Sequence, residues 1–130
     1  MPKNKAKGSN IERDLYKKFI GQDYRAVRVA GSGTMENADC DLIAGKKGKG
    51  KYAIEVKSSK KPYKYIAKEQ IKNFLIFSEM FGLKPVIALR FIREGWFFLH
   101  PKHLKEKGKS FMITLKDAEK KGKKFSQFFK

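Results

Sequence analysis

An almost continuously apolar segment, residues 85–91, limits the folds open to this chain more than any other feature. A strand that is apolar on both faces needs cover on both faces, as in the centre of a sheet flanked by helices. Gly95–Leu99 follows it after a short turn, which predicts an antiparallel pair. This part of the sequence therefore predicts the buried centre of a sheet.

Periodicity and turn residues predict the other elements. A helix begins at Ser9, because Ser9-x-x-Glu12 forms a capping box, and it ends at Gly21. The further predicted elements are strands at 24–30, 41–44 and 52–58, a helix at 66–81 and a weaker helix at 114–121, with residues 60–65 as a basic loop. The second and third strands make a hairpin around Gly48 and Gly50. The predicted fold class is α/β, a central mixed β-sheet flanked by helices in a single domain.

The charge points to a polyanionic partner. With 31 Lys and Arg against 13 Asp and Glu, the formal net charge is +18, which costs self-repulsion in the folded state. Nucleic acid is favoured over a membrane surface, since each neutralised phosphate releases counterions. A chain that is 41% hydrophobic with eleven Phe folds rather than staying a basic arm. The lone Cys40 excludes an internal disulfide, and an intracellular, cytoplasmic location is expected.

The candidate site is built on residues 41 and 55–57. Residues two apart in a strand share a face, so Glu55 and Lys57 project together while Val56 points into the core. In a hairpin, Asp41 comes within reach of Glu55. Adjacent carboxylates repel each other and bind a divalent cation, and a lysine beside it orients or deprotonates water. The pattern favours metal-dependent phosphodiester hydrolysis, although an isolated E-x-K triplet is common.

Other polar residues have structural interpretations of their own. Glu12 completes a helix cap, and Arg13 is typical of a solvated helix position. Arg28 is predicted on the polar face of its strand, opposite the buried face formed by its two valine neighbours. Ser32 lies between two glycines in a loop.

Four segments in order resemble a single family. They are Gly8-Ser9-x-x-Glu12-Arg13, Val27-Arg28-x-x-Gly31-Ser32-Gly33, Asp41-Leu42-Ile43-Ala44-Gly45 and Ile54-Glu55-Val56-Lys57. Together they are similar to the archaeal-type Holliday-junction resolvases of the PD-(D/E)xK nuclease superfamily, over about residues 8–99. The resemblance implies a restriction-endonuclease-like fold and a crossover junction endodeoxyribonuclease of DNA recombination and repair.

The resemblance also implies roles for individual residues. Those matched to catalysis or metal binding are Glu12, Asp41 and Glu55 with the Val56 carbonyl as ligands of Mg²⁺ (Mn²⁺ as a substitute), Lys57 as catalytic lysine and Ser32 as a catalytic loop serine that contacts the junction. Arg13 and Arg28 match basic residues near the scissile phosphate. Cys40 replaces the proline of the superfamily pattern, which leaves activity intact and suggests oxidation sensitivity.

A homodimer is implied as well, because paired cuts in a symmetric junction need two related sites. The aromatic residues exceed the needs of one small core, so an interface is predicted from Phe74, Phe77, Phe81, Phe91, Trp96 and Phe98, with core packing as the alternative for each. The predicted division is a basic N-terminal arm at 1–8, a nuclease domain at 9–104 and a Lys-rich extension at 105–130.

Two lysine-rich segments are predicted to contact the DNA backbone, since lysine gives charge without sequence readout. They supply Lys46, Lys47, Lys49, Lys51, Lys60, Lys61 and Lys64. The C-terminal Phe125-x-x-Phe128-Phe129 resembles the hydrophobic half of a sliding-clamp-binding peptide. Packing of these phenylalanines on the body of the protein is the alternative.

The sequence therefore favours Mg²⁺-dependent cleavage of four-way DNA junctions by a dimer. A PD-(D/E)xK nuclease acting on flaps, mismatches or a specific duplex keeps the same residues with another substrate. A basic nucleic-acid-binding protein without activity is the alternative from a different class.

Overall fold

A computed structural model describes residues 2–29 and 39–129 of the 130-residue chain. Its helices are α1 (Pro2–Gly21), α2 (Lys68–Phe81), α3 (Leu115–Lys121) and α4 (Phe125–Phe128), with a 3₁₀ turn at Pro101–His103. Its strands are β1 (Arg25–Arg28), β2 (Leu42–Lys46), β3 (Gly50–Ser59), β4 (Tyr63–Ala67), β5 (Lys84–Phe91), β6 (Gly95–Leu99), β7 (Lys105–Lys107) and β8 (Ser110–Thr114).

The main sheet is mixed, as predicted. In the described part of the chain it has five strands in the order β1-β2-β3-β5-β6. β3 and β5 run parallel, and the other neighbouring pairs are antiparallel. The segment of β5 has a neighbour on both sides, and its residues Val86 to Leu89 are buried. The central-strand prediction for residues 85–91 is confirmed.

Each face of the main sheet is covered by a different set of elements. On the first face, α1 buries Leu15 and Phe19 against sheet residues such as Ile54 and Phe98. On the second face, α2 and the β4-β8-β7 sheet bury residues such as Phe74 and Ile113 against the other side of β5. The alternation of side chains along β3 and β5 therefore separates the interior into two apolar layers.

Glycines stand at the predicted ends of two elements. Gly82 closes α2 in the left-handed conformation, with φ 74° and its N–H bonded to the Glu79 carbonyl. Gly48 lies in the β2–β3 turn at φ 82°, a conformation that side chains disfavour. Both the helix stop and the hairpin are confirmed.

The start of α1 differs from the prediction. The helix runs from Pro2, so Ser9 and Glu12 lie inside it and the capping-box prediction is wrong. The segment before Ser9 contains Ala and Lys, which favour helix, and this propensity extends the helix beyond the local cap signal. Residues 2–8 are thus helical rather than an irregular arm.

Residues 60–65 were predicted to be a loop, but Tyr63–Ala67 forms β4. It pairs with β8 in a second sheet, which among the described residues has the order β4-β8-β7. Tyr63 faces Thr114 in this register, so the partner lies far along the chain. Such a pairing leaves no local sequence signal. Strands β7 and β8 form a local hairpin across Gly108, and it was missed although its turn is short.

Strand β1 buries the face opposite to the one predicted. Val27 is 58% exposed, whereas Ala26 packs against the core under α1. Arg28 shares the parity of Ala26 and turns toward α1. The inversion arises because β1 is an edge strand, whose alternating pattern fits either face.

Four of the predicted interface aromatics belong to the protomer core. The side chains of Phe74, Phe91, Trp96 and Phe98 are at most 9% exposed, so their prediction as dimer contacts is wrong. The physical reason is that the main sheet is covered on both faces and uses more aromatic side chains than expected. Phe77 is partly buried and Phe81 is 62% exposed.

The C-terminal phenylalanines pack on the body. Phe129 is 6% exposed and lies in the core beneath α1. Phe125 and Phe128 pack against the same cluster, and the Tyr24 hydroxyl donates to the Phe129 carbonyl at 3.1 Å. The structural alternative for these residues is therefore the one observed. Within the residues described, no helix combines the length and apolarity needed to cross a membrane.

Candidate active site

The central carboxylates meet where the β2–β3 hairpin opens. The last pair of the ladder is Leu42 with Ile54, and the Asp41 N–H donates to the Ile54 carbonyl at 2.9 Å. Asp41 therefore lies opposite Glu55, one position beyond the ladder. From this point β3 continues beside β5 as far as Ser59, while β2 has ended. The vacated edge leaves room for a pocket.

Asp41 is held by the backbone of the neighbouring strand. Its Oδ2 accepts the Val56 N–H at 2.8 Å, in the place where a continued β2 would have supplied a carbonyl. The N–H and carbonyl of a strand residue face the same neighbour, so the Val56 carbonyl also faces the open edge. The Val56 side chain packs against the α1-side core, as strand parity predicted.

Glu55 and Lys57 project from the same face of β3. Lys57 Nζ lies 3.4 Å from Glu55 Oε2. Glu55 is only 4% exposed, which is costly for a carboxylate unless it is paired or protonated. Gln70, in the first turn of α2, contacts both: its Nε2 donates to Glu55 Oε2 at 2.6 Å, and its Oε1 accepts from Lys57 Nζ at 3.0 Å.

Glu12 reaches the site from α1, the helix on the other face of the sheet. Arg28 Nη2 lies 3.6 Å from Glu12 Oε1, and both side chains are partly exposed. Because Ile11 and Leu15 are buried beneath α1, the helix fixes Glu12 between two anchors. The inverted face of β1 is what brings Arg28 to this position.

These side chains line a pocket of about 200 Å³. Its lining residues are Glu12, Asp39, Asp41, Glu55, Val56, Lys57 and Gln70. The structure thus gathers the predicted acidic residues and the lysine in one concavity. Asp39 and Gln70 were missed, since Asp39 shares no motif with the others and Gln70 is distant in sequence.

Burial, and then neighbouring negative charge, set the electrostatics of the pocket. Burial, and then the neighbouring Asp41, raise the pKa of Glu55 to about 8, against the opposing effect of Lys57. Burial and Asp41 also raise the pKa of Glu12, while Arg28 lowers it. In a chain with a net charge of +18, the pocket is therefore a local cluster of carboxyl groups that hold their protons more tightly than usual.

The predicted DNA-contacting lysines fall into two groups. Lys60 and Lys61 are exposed just beyond the end of β3, on the side of the pocket. Lys46, Lys47, Lys49 and Lys51 lie at the turn end of the hairpin, lining a concavity of about 960 Å³, roughly 17 Å along the strand from Asp41. Lys64 is half-buried, and burial together with Lys57 lowers its pKa.

The remaining predicted site residues are less constrained. Arg13 is exposed on α1, one residue from Glu12. Ser32 and its flanking glycines lie outside the described residues. Cys40 is fully buried, and burial followed by Asp41 and Glu55 raises the pKa of its thiol to about 12. Because oxidation proceeds through an accessible thiolate, this surrounding speaks against the predicted oxidation sensitivity.

The protein has a mixed sheet with helices on both faces. Its acidic pocket, with a lysine, lies where β3 extends beyond the end of β2. These features define the restriction-endonuclease-like, PD-(D/E)xK class of fold. The family model for the archaeal Holliday junction resolvase, Hjc, matches residues 3–130. The chain belongs to that family.

Individual relatives agree with the family match. The crossover junction endodeoxyribonuclease Hjc of Archaeoglobus fulgidus is 33% identical over 96% of each chain. The protein of the same name from Methanocaldococcus jannaschii is 39% identical over 82% of this chain and 75% of its own. The solved structure of Archaeoglobus fulgidus Hjc superposes with a TM-score of 0.83 at 30% identity, covering 92% of this chain and 95% of that one.

Proposed function

We propose that this protein is a structure-selective endonuclease that cleaves four-way DNA junctions by metal-dependent phosphodiester hydrolysis. The observation that carries the proposal is the juxtaposition of Asp41 and Glu55 at the opening of the hairpin, with Glu12 and Lys57 in the same pocket. Both curated relatives described above are named crossover junction endodeoxyribonucleases. DNA recombination and repair is the matching role, with the protein acting where the DNA lies, in the cytoplasm.

The donor chemistry of the pocket fits a hard divalent cation. Carboxylate and carbonyl oxygens are the preferred ligands of Mg²⁺, and Glu12, Asp41, Glu55 and the Val56 carbonyl would hold it, with Mn²⁺ as a substitute. As placed, no three acidic, His or Cys side chains among the described residues are close enough to hold a metal ion. Burial, and then repulsion from Asp41, raise the pKa of Glu55, and a bound cation would relieve that repulsion. Bound Mg²⁺ supplies an activated water and a counter-charge for the phosphate.

The protein side chains then have separate tasks. Lys57, held beside Glu55, orients the attacking water and balances charge that develops on the phosphate. Arg28 fixes Glu12 through their ion pair and, with the exposed Arg13, approaches the scissile phosphate. Ser32 is proposed to act from the neighbouring loop, in line with the family resemblance.

Affinity for the junction is proposed to come from backbone contacts. The two lysine groups lie at opposite ends of β3, beside the pocket and about 17 Å from it, so a phosphate backbone running along the strand meets both. Lysine recognises charge rather than base sequence, which suits selection by DNA shape. Lys46 also donates to the Gln22 carbonyl at 3.1 Å, which fixes one of these charges at the concavity.

A homodimer is proposed because a four-way junction is resolved by two related cuts. The exposed apolar side of α2 is its best-supported surface: Ile76, Met80 and Phe81 are 51%, 83% and 62% exposed. Phe77 stacks on Phe81 with ring centroids 5.0 Å apart. A sliding-clamp contact through Phe125, Phe128 and Phe129 stays a prediction, and it would require α4 to leave the core.

A cleavage assay on four-way, flap and linear duplex DNA, with and without Mg²⁺, tests the proposal. Wild type should cut the four-way junction in paired nicks and require the metal. Asp41→Asn and Glu55→Gln should abolish cleavage and leave junction affinity within about twofold, because they remove pocket charge and not the lysines. Preferential cutting of flaps or linear DNA would favour the nuclease with another substrate. Absence of any cleavage with Mg²⁺ or Mn²⁺ would favour a binding protein without activity.

A further inference from the structure

Gln70 is the one uncharged side chain from outside the strands that lines the described part of the pocket. It lies in the first turn of α2, and no sequence motif drew attention to it. We infer that Gln70 is a positioning residue for the proposed cleavage reaction, holding Glu55 and Lys57 in fixed relation through the two ends of its amide. This inference rests on the proposed function and adds a residue to it.

The contacts have complementary polarity. Gln70 Nε2 donates to Glu55 Oε2 at 2.6 Å, and Gln70 Oε1 accepts from Lys57 Nζ at 3.0 Å. The Lys57 ammonium only donates hydrogen bonds, whereas a carboxyl oxygen such as Glu55 Oε2 can accept them in either protonation state. The reversed amide would set its own NH₂ group against the Lys57 ammonium, donor against donor, so Lys57 fixes the amide orientation.

The same contacts select one oxygen of Glu55. Its Oε2 takes both the Gln70 hydrogen bond and the Lys57 ion pair at 3.4 Å. Neither contact uses Oε1, so that oxygen stays available for the metal-ligand role proposed for Glu55. Gln70 also gives Lys57 Nζ a neutral partner, so the ammonium is held in place when the Glu55 carboxylate turns to another ligand.

The start of α2 is anchored independently of the site. The Lys68 N–H donates to the Lys109 carbonyl at 3.1 Å, and Lys68 Nζ contacts Glu106 Oε2 at 3.1 Å. Ile71, the residue after Gln70, is 2% exposed. The second sheet and the core thus fix the first turn of the helix from both sides, and Gln70 transmits that placement to β3.

A set of substitutions in the full-length protein tests the assignment. Gln70→Ala should slow single-turnover junction cleavage by about 10- to 100-fold, since two hydrogen bonds to charged groups are lost. Junction affinity should stay within about twofold. Gln70→Asn should recover part of the rate, because it keeps the donor and acceptor on a shorter stem. Gln70→Glu keeps the size but opposes Glu55 with a carboxylate, so it should be at least as slow as Gln70→Ala.

Asn73→Ala, which removes a neutral amide from the same helix, is the matched control and should cleave at the wild-type rate. Melting temperatures of all variants should agree within a few degrees. If Gln70→Ala cleaves within twofold of wild type while Glu55→Gln is inactive, Gln70 has no positioning role. Equal slowing by Gln70→Ala and Asn73→Ala would instead indicate a general effect on α2 and would also overturn the assignment.

A second readout needs no cleavage and no metal. In nitrogen-detected NMR of the metal-free protein, the Lys57 ammonium signal should be visible, because its hydrogen bond to Gln70 slows exchange with water. It should broaden or shift in Gln70→Ala and not in Asn73→Ala. An unchanged Lys57 signal would contradict the contact itself. Failure of the proposed nuclease function would give a different result. The wild type would not cleave the junction, while the Lys57 signal would still differ between Gln70→Ala and Asn73→Ala.

Discussion

Glu55 should make the metal-free protein less stable as pH rises. The folded state holds its proton with a pKa of about 8, whereas a glutamate carboxyl in the unfolded chain has its ordinary pKa of 4.5. Between these values the unfolded chain releases the proton first, so raising the pH favours unfolding. Through this group, the free energy of unfolding of the wild type should fall by on the order of a few kcal/mol between pH 5 and pH 8. Glu55→Gln should remove that fall, because glutamine does not titrate.

Urea titrations of wild type and Glu55→Gln in chelator, at several pH values, measure this difference. The comparison cancels the contributions of the other titrating groups. Parallel stability curves for the two proteins would contradict the raised pKa. Added Mg²⁺ should reduce the slope of the wild type, because a bound cation favours the ionised carboxylate.

Glu55 also shows how much strand parity alone predicts at the scale of a residue. The two-residue spacing placed Glu55 and Lys57 on one face of β3, and their atoms lie 3.4 Å apart. Gln70 could not be predicted in this way, since its contact depends on where α2 crosses the sheet. Arg28 was assigned to the polar face of its strand, and it contacts Glu12 because an edge strand can present either face.

At the scale of elements, local patterns predicted the main sheet but not the second one. The apolar segment of β5, the turn of the β2–β3 hairpin and the Gly82 helix stop are all encoded within a few residues. Strand β4 requires a partner about fifty residues further along, with Tyr63 opposite Thr114. Helix α4 is a similar case, since its phenylalanines resemble an exposed peptide until the core that receives them is known.

Helix α4 should contribute to stability through the residue that follows it. Phe129 makes edge contacts with Phe19, Tyr52 and Phe98 at centroid distances of 4.8–5.1 Å. Phe129→Ala should lower the free energy of unfolding by about 3–5 kcal/mol, the usual cost of emptying a buried phenylalanine site. Urea denaturation measures it.

Phe81→Ala is the matched control for this truncation. Phe81 is 62% exposed, so its loss should cost well below about 1 kcal/mol in the isolated protomer. Equal effects of the two substitutions would show that Phe129 is not a core residue in solution. Deletion of residues 125–130 should behave like Phe129→Ala or worse.

At the scale of the whole molecule, the charge excess predicts a strong salt dependence. If the seven proposed lysines each neutralise one phosphate, log K for junction binding should fall with log salt at a slope of about −6 per protomer. Replacing Lys47 and Lys49 by Ser should reduce the magnitude of that slope by about 2. Replacing Lys107, at the end of β7, and Lys109, in the turn that follows it, should leave the slope unchanged, because the proposal places no DNA there. Equal changes in both pairs would mean that binding responds to net charge alone.

The exposed side of α2 should determine the oligomeric state. Phe81→Glu should convert a dimer to a monomer without loss of helicity, because the side chain is outside the protomer core. Val27→Glu adds the same charge at a position that is 58% exposed and should leave the dimer intact. Light scattering coupled to gel filtration distinguishes the two. A wild type that is monomeric at micromolar concentration would remove the basis for paired cuts by this surface.

The hydrogen bond between Tyr24 and Phe129 joins residues 105 positions apart. A ribosome adding about 5–20 residues per second needs roughly 5–20 s to travel that distance. Throughout this interval the apolar layer beneath α1, the helix that carries Glu12, lacks Phe129. A growing chain of this sequence therefore carries its positive charge, and its attraction for nucleic acid, for many seconds before the layer that supports one side of the pocket is complete.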